Sequence, residues 1–542
     1  MIKIFLKNKI KSILPLPNDM PNWKKLLKNK SNFFFKKLKK KKILIATSSG
    51  GHKVATSFES LLGISLSLKG SIVEFLLCNK ILTGCIMTTD ENTKEKELLK
   101  EKQTGICHAC FDIGKKTFEK TGLKIHYLGD FISQKDLVLI DQTVRNTSIN
   151  DIKNYNIAGA NIGEQTIANV LRYYAIGDLS LEKNSELVIK KYFKSALVTE
   201  KAIRRLFEQE KYDVIVLNHG IYVPQGIITE IAKSKKINYV TWTTGARKNT
   251  FIFSHNDIYN KDIVGEDNSN WADIRVKKIE KEIDEYLQSK ILGTEDWQYQ
   301  NNKISLKANQ YLASKKIDLS KPTIGLATNV IWDAQLHYDD TIFYNMVDWI
   351  LKTINYFISR KDLNLIIRIH PTEVNSDRPA KQKVKDEILK YYSVLPDNIL
   401  IIDSNDPIST YAVLDFCNTI LIYGTKLGVE FAARGVPVVI AGEAVIRNKG
   451  FSIEPSSEKE YFEVLKSLPL KNKMNQVQTE NAKKFAYHYY FRRMLEIDSI
   501  ENIPFNFPPF KIKSNFIDIL SRESDKNLEL ICNSIISGDK FY

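Results

Sequence analysis

A strand, a glycine turn and a helix follow one another repeatedly along this chain, and that recurrence restricts its fold more than any other feature. From Lys42 onward short β-branched runs alternate with helical patterns, which is the signature of parallel strands with helices on both faces of a sheet. The first unit has a predicted strand at 43–47, the tight turn Ser48-Ser49-Gly50-Gly51-His52, a helix at 54–68 and a strand at 72–77. Further strands at 213–217 and 238–242 flank a helix at 223–235. A second half starts after Pro322, with strands at 323–327, 363–369, 399–402, 419–423 and 437–440 and helices at 341–359, 380–392 and 427–434. The expected fold is α/β, two Rossmann-like doubly wound domains facing a cleft at the carboxyl ends of their sheets. The expected boundaries are a basic leader at 1–41, an N-terminal domain at 42–264, a helical connection at 265–318, a C-terminal domain at 319–456 and a C-terminal helical segment at 457–542.

Charge narrows the partners. The formal net charge is +16, but residues 1–42 hold fourteen lysines against Asp19, a net +13, so the other 500 residues carry only +3. A nucleic-acid-binding protein spreads basic residues over a folded face, so no nucleic-acid partner is expected. No run approaches the roughly 18 apolar residues of a membrane span, and lysines interrupt any signal-peptide core. The expected location is the cytoplasm. Within the leader, Trp23, Leu27, Phe34 and Leu38 share one stripe of a helical wheel flanked by lysines. One reading is peripheral attachment to the anionic inner face of a membrane; the other is a solvated leader with no partner.

Three motifs offer chemistry. The turn carrying Gly50, Gly51 and His52 presents backbone N–H groups at a helix start, where an anion or a sugar hydroxyl can sit; it lacks both the dinucleotide and the Walker patterns. The strand ending Arg368-Ile369-His370-Pro371 places Arg368 and His370 on one side by the two-residue period, where either could pair with a phosphate, and Pro371 stops the ladder. Tyr423-Gly424-Thr425-Lys426-Leu427-Gly428-Val429-Glu430 runs from a strand into a helix, so that Thr425 and the helix start can hold phosphate and Glu430 can accept from ribose hydroxyls. For His52 and His370 a plain helix-capping role stands beside the functional one.

The SGGH turn, the Thr-Asn-Val-Ile-Trp-Asp segment at 328–333, the RIHPTE strand end and the GTKLGVEFAARGVPVV helix together resemble the capsule polysaccharide biosynthesis glycosyltransferases. The resemblance is strongest over 320–455 and looser over 42–255, where Asn218-His219-Gly220 falls. It implies a GT-B fold and a nucleotide-sugar donor. It also implies donor phosphate contacts at His370 and Pro371, and phosphate and ribose contacts at Thr425, Gly428 and Glu430. The acceptor implied is a lipid-linked or growing glycan. Arg368, His370, a helix N-terminus and Lys426 can neutralise the leaving phosphate, so no catalytic cofactor is expected. For the base, Glu164 ranks first, with His52, His219 and Asp333 as further candidates. Other functions left open are a nucleotide-sugar epimerase, a polyol-phosphate transferase and a non-catalytic capsule assembly or export factor.

Four of six cysteines, Cys78, Cys85, Cys107 and Cys110, fall within 78–110 as C-x6-C followed by C-x2-C. Such a set can hold a structural zinc, although the x6 arm is longer than usual. Buried thiols or a redox pair are the other readings. Cys417 and Cys532 are expected in the core.

Overall fold

The computed structural model describes residues 20–27, 41–100, 105–297, 307–337, 340–376, 378–470, 473–504, 506–521 and 524–542. It divides into two compact units, one of residues 1–173, 178–259 and 493–542, the other of 174–177 and 260–492.

In the first unit β1 (Lys42–Ser48), β2 (Ile72–Leu77), β3 (Lys124–Tyr127), β4 (Val214–Asn218) and β5 (Asn238–Thr244) are parallel in the order β3-β2-β1-β4-β5. Antiparallel β6 (Thr250–His255) and the short strand Leu495–Glu496 extend the β5 edge. Ile43, Leu44, Ile45 and Ala46 of β1 are all at most 1% exposed, because a central parallel strand is covered on both faces and needs a continuous apolar run. The helices that matter below are α1 (Lys53–Leu68), α2 (Gly105–Glu119), α3 (Ile162–Tyr174) and α4 (Ser185–Gln209). β1 lies between β2 and β4, so the chain direction across the sheet reverses at the β1/β4 boundary. In an open α/β sheet, the carboxyl end of such a boundary is where ligands bind.

The second unit repeats the arrangement. β7 (Thr323–Ala327), β8 (Asn364–Arg368), β9 (Ile399–Ile402), β10 (Thr419–Ile422) and β11 (Val438–Ile440) are all parallel, in the order β9-β8-β7-β10-β11. The reversal lies between β7 and β10, and α5 (Leu427–Ala433) follows β10. Trp349 anchors the core, its indole N–H donating to the Tyr461 hydroxyl at 2.8 Å. The α/β class and the two Rossmann-like sheets match the sequence expectation.

Three expectations require correction. Residues 265–318 are not a connection: within the described part, the helix Val276–Leu292 buries Ile279, Ile283 and Leu287 and belongs to the second unit. Nor do residues 457–542 form one segment, since 457–492 stay with the second unit and 493–542 return to the first. There Leu495–Glu496 joins the sheet and Glu529 pairs with Lys69 at 2.7 Å. Finally, Trp23 is not on a membrane-facing stripe. It lies in the short helix Trp23–Leu26, is 0% exposed and meets the Phe516 ring edge-on at 5.4 Å. An indole satisfies its apolar surface equally well in lipid or in a core, and helical periodicity cannot tell the two apart. Leu27 of the same proposed stripe is half-buried at the end of that helix, and Phe34 and Leu38 lie outside the described residues.

Candidate functional site

The first unit gathers its chemistry at the carboxyl ends of β1 and β4. Both strands exit through left-handed residues, Ser48 at φ 59° and His219 at φ 60°, a conformation costing about 1–3 kcal/mol per non-glycine residue and concentrated at functional sites. His52 caps α1: its Nδ1 accepts the Ala55 N–H at 3.1 Å. The neutral ring therefore carries its proton on Nε2 and faces a ligand as a donor, not as a base. Burial holds the His52 pKa below its usual value, opposed by Asp90 and assisted by Arg172. His219 is accessible to solvent, yet surrounding protein, then Arg172 and His52, press its pKa down as well. Arg172, on α3, reaches Asp90 at 3.4 Å and lies 5.2 Å from the centre of the Tyr222 ring. Ser48 Oγ and Asn218 Oδ1 are buried with no hydrogen-bond partner among the described residues. The recess that such a boundary leaves at the carboxyl ends of its strands thus has histidine, guanidinium and carboxylate groups beside it, together with two buried polar atoms that no described residue satisfies. Asp90 was missed in the sequence because nothing at Met87-Thr88-Thr89-Asp90 marks it. Glu164, the first-ranked base, is engaged locally: its carboxylate accepts from Asn161 Nδ2 at 3.1 Å at the start of α3.

Beneath this recess lies a carboxyl group the sequence did not reveal. Glu59 of α1 is 2% exposed; its Oε1 accepts from the Thr47 hydroxyl and from the Trp242 indole N–H at 3.0 Å. Thr47 Oγ1 in turn accepts the Asn218 N–H at 2.7 Å. One acid thus ties together the last residues of β1 and β4. Burial pushes its pKa up to about 8, outweighing those bonds.

In the second unit the carboxyl ends of β7, β8 and β10 bring Thr328, His370, Thr425 and Lys426 to one edge. The His370 N–H donates to Thr328 Oγ1 at 3.0 Å, and His370 Nδ1 accepts the Thr372 N–H at 3.1 Å. Pro371 starts the 3-10 turn that makes this bond. As with His52, the proton is left on Nε2. Burial first, then Lys426 and Arg368, lower the His370 pKa to about 4, with exposed Asp333 acting in the opposite sense. Thr425 Oγ1 faces the start of α5, and Lys426 is exposed there.

Three residues predicted to contact donor are used otherwise. Arg368 is 3% exposed and donates to Asp403 O, to Ile408 O at 3.2 Å and to Thr410 Oγ1 at 3.0 Å, so it fastens the loop after β9 and does not face phosphate. Glu430 is 0% exposed and accepts from Tyr411 and Tyr490 hydroxyls at 2.7 and 2.8 Å, with Lys290 at 3.8 Å. Gly428 is a packing glycine, since a Cβ there would sit 2.6 Å from Ile422 Cδ1. The sequence places these residues correctly beside the strand end, but a helix turns successive side chains through about 100° and sends two of them inward.

No disulfide joins any of the six cysteines; Cys417 and Cys532 are buried in the core as expected. Cys78, Cys85, Cys107 and Cys110 line one cavity beside the β1 turn. Burial pushes the Cys110 thiol up to about 12 and raises Cys78 and Cys85. Among the described residues, ligand atoms of Glu74, His126 and Glu210 lie within 4.8 Å of one another. That group is already neutralised by Lys42 at 2.5 Å and Lys124 at 2.9 Å from Glu210. It sits at the amino-terminal edge of the sheet, opposite the recess.

No family model matches this chain, and no curated protein matches it. Solved structures do. The chain is similar to the beta Kdo 2,4 transferase KpsC of Thermosulfurimonas dismutans at 10% identity and TM-score 0.35, over 58% of this chain and 88% of that one. It is similar to the UDP-GlcNAc 2-epimerase from Neisseria meningitidis bound to UDP-GlcNAc at 11% identity and TM-score 0.29, over 90% of this chain and 100% of that one. It is also similar to the wall teichoic acid polymerase TagF at 10% identity and TM-score 0.24, over 66% of this chain and 88% of that one. The fold itself rests on the two strand orders.

Proposed function

We propose that this chain is a glycosyltransferase that uses a nucleotide-activated sugar to build a capsular or other surface polysaccharide. The observation that carries the proposal is the strand-end cluster of the second unit, where the His370 Nε2–H, the Lys426 ammonium and the Thr425 hydroxyl stand at the reversal point of a Rossmann-ordered sheet. Donors and a cation at that position suit a diphosphate or monophosphate leaving group. In the transfer, the acceptor hydroxyl attacks the anomeric carbon, the bond to the leaving phosphate breaks, and these groups take up its negative charge. Within the first unit, Asp90, whose charge acts on both His52 and His219, is the carboxylate suited to accept a hydroxyl proton. His52, donating through Nε2, orients acceptor hydroxyls. The donor sugar is a hexose or an ulosonic acid, and the acceptor is a lipid-linked or growing glycan at the cytoplasmic face of the membrane.

A thermal-shift panel of CMP, UDP, GDP and CDP tests the proposal, because a ligand binding only the native state at 100 times its Kd stabilises it by about 2.7 kcal/mol. One nucleotide is expected to raise the midpoint for the wild type and to lose that effect in His370→Ala. If no nucleotide stabilises the chain, or if His370→Ala responds as the wild type does, the donor site is misassigned. Nucleotide binding without release of nucleotide from its sugar conjugate, given a glycan acceptor, would favour a non-catalytic capsule factor.

A further inference from the structure

We propose that Cys78, Cys85, Cys107 and Cys110 bind one zinc ion, which fastens the β1 turn to α2. The four residues come from three separate pieces of chain: the end of β2, the start of the short helix Ile86–Asp90, and the first turns of α2. They nevertheless line one cavity of about 20 Å³, together with Ser49, Met87 and Thr88. That volume holds one water-sized sphere, so it suits a single ion and excludes a multi-iron cluster. Four soft sulfur donors and no carboxylate select a thiophilic metal of tetrahedral preference.

A second feature is independent of the cavity. The Gly51 N–H points at the Cys110 sulfur at 3.1 Å. A neutral thiol is a weak acceptor, whereas an N–H group directed at a metal-bound thiolate belongs to the surrounding layer that orients ligands and spreads their charge. The sulfurs are not yet at bonding separation, since among the described residues no three cysteine Sγ atoms lie within 4.8 Å of one another. A zinc with bonds of about 2.3 Å needs them about 3.8 Å apart, so loading must draw the cluster together by side-chain rotation.

The contraction would act on the recess. Gly50 and Gly51 are packed against α2 so closely that an added Cβ would lie 2.6 Å from Cys110 O and 3.0 Å from Cys110 Cβ, respectively. The turn that delivers His52 is therefore in direct contact with the cysteine-bearing helix, and a metal on Cys110 would fix both. This also accounts for the two glycines without requiring a substrate at that point.

Metal analysis of the full-length chain, purified without chelators, tests the proposal, followed by replacement with cobalt(II) alone as a spectroscopic probe. The expected result is about one zinc per chain in the wild type and in Cys417→Ser, and a large loss in both Cys78→Ser and Cys110→Ser. The cobalt form should show the intense visible bands and sulfur-to-metal absorption of a tetrahedral thiolate site. Because a cluster variant could misfold, circular dichroism of each is compared with the wild type, and the cobalt spectrum of the wild type stands as a separate criterion. Zinc far below one per chain combined with no cobalt thiolate absorption overturns the proposal, as does a native mass reduced by the hydrogens of two disulfides. Full zinc retention in both cluster variants overturns it too.

Discussion

Glu59 offers the sharpest test of how the first unit is assembled. The perturbation is Glu59→Gln, whose amide oxygen can still accept from Thr47 and Trp242 but which cannot titrate. In the native chain the Glu59 pKa is raised from 4.5 to about 8 by burial. Between those values the folded state holds a proton that the unfolded state releases, so the stabilisation is complete below 4.5 and is lost as pH rises through 8. At about 1.4 kcal/mol per pH unit, the wild type should lose about 3 kcal/mol relative to the Gln variant between pH 5 and pH 7. Urea unfolding of both proteins at pH 5, 6, 7 and 8 measures this. Groups common to both cancel in the difference, leaving the slope that belongs to Glu59. Parallel stability curves would mean that Glu59 is ionised in the folded chain.

Other substitutions separate structural from ligand-binding roles. Trp23→Ala should cost about 3–5 kcal/mol of stability, the range for truncating a buried aromatic, read as a lower urea midpoint; a change under about 1 kcal/mol would return Trp23 to the surface. Glu430→Ala should cost about 3–5 kcal/mol, because it strips a buried charge partner from Lys290 and an acceptor from Tyr411 and Tyr490. Unaltered stability with weakened nucleotide binding would instead place Glu430 on the ribose. Arg368→Met should loosen the loop at 403–410 and show as faster hydrogen exchange there, since three of its acceptors lie in that loop.

What the sequence disclosed was whatever depends on local pattern. Parallel strands covered on both faces must be continuous apolar runs, so β1, β2, β4 and β7 to β11 could be read within a residue or two. The polar residues interrupting them, Ser48-Ser49-Gly50-Gly51-His52, Asn218-His219 and Arg368-Ile369-His370, mark their carboxyl ends. What it concealed depends on long-range partners. Glu59 reads as an ordinary polar residue in a helix, and its importance comes from Thr47, Asn218 and Trp242, which are far apart in the chain. Asp90 gains meaning only from Arg172 and two histidines brought in by other strands. The return of 493–542 to the first unit is invisible for the same reason, because a two-residue strand has no periodicity to detect. The cysteine cluster lies between these cases: its spacing raised a metal, and its convergence required the fold.

The tautomer of His370 shows how such hidden backbone contacts determine chemistry. A strand-end histidine next to a phosphate site could serve as cation, base or neutral donor, and the residue alone does not choose. The Thr372 N–H chooses by occupying Nδ1 at 3.1 Å, and burial with Lys426 nearby removes the cationic form above about pH 4. What remains is an Nε2–H donor, which two substitutions can separate from the cap. Asparagine places its amide oxygen near the position of Nδ1, so His370→Asn should keep the turn and lose the donor. Glutamine reaches the position of Nε2, so His370→Gln should keep a donor and lose the cap. The expected outcome is near-native stability with nucleotide affinity reduced roughly 10- to 150-fold for His370→Asn, the equivalent of about 1.5–3 kcal/mol for a hydrogen bond to a charged group. His370→Gln should instead lose about 1 kcal/mol of stability, as for a lost cap, while binding nucleotide more tightly than the Asn form. Calorimetric titration with the nucleotide selected by thermal shift, alongside urea unfolding, reads both quantities. If the two variants bind equally well, Nε2 does not touch the ligand and His370 is a capping residue alone.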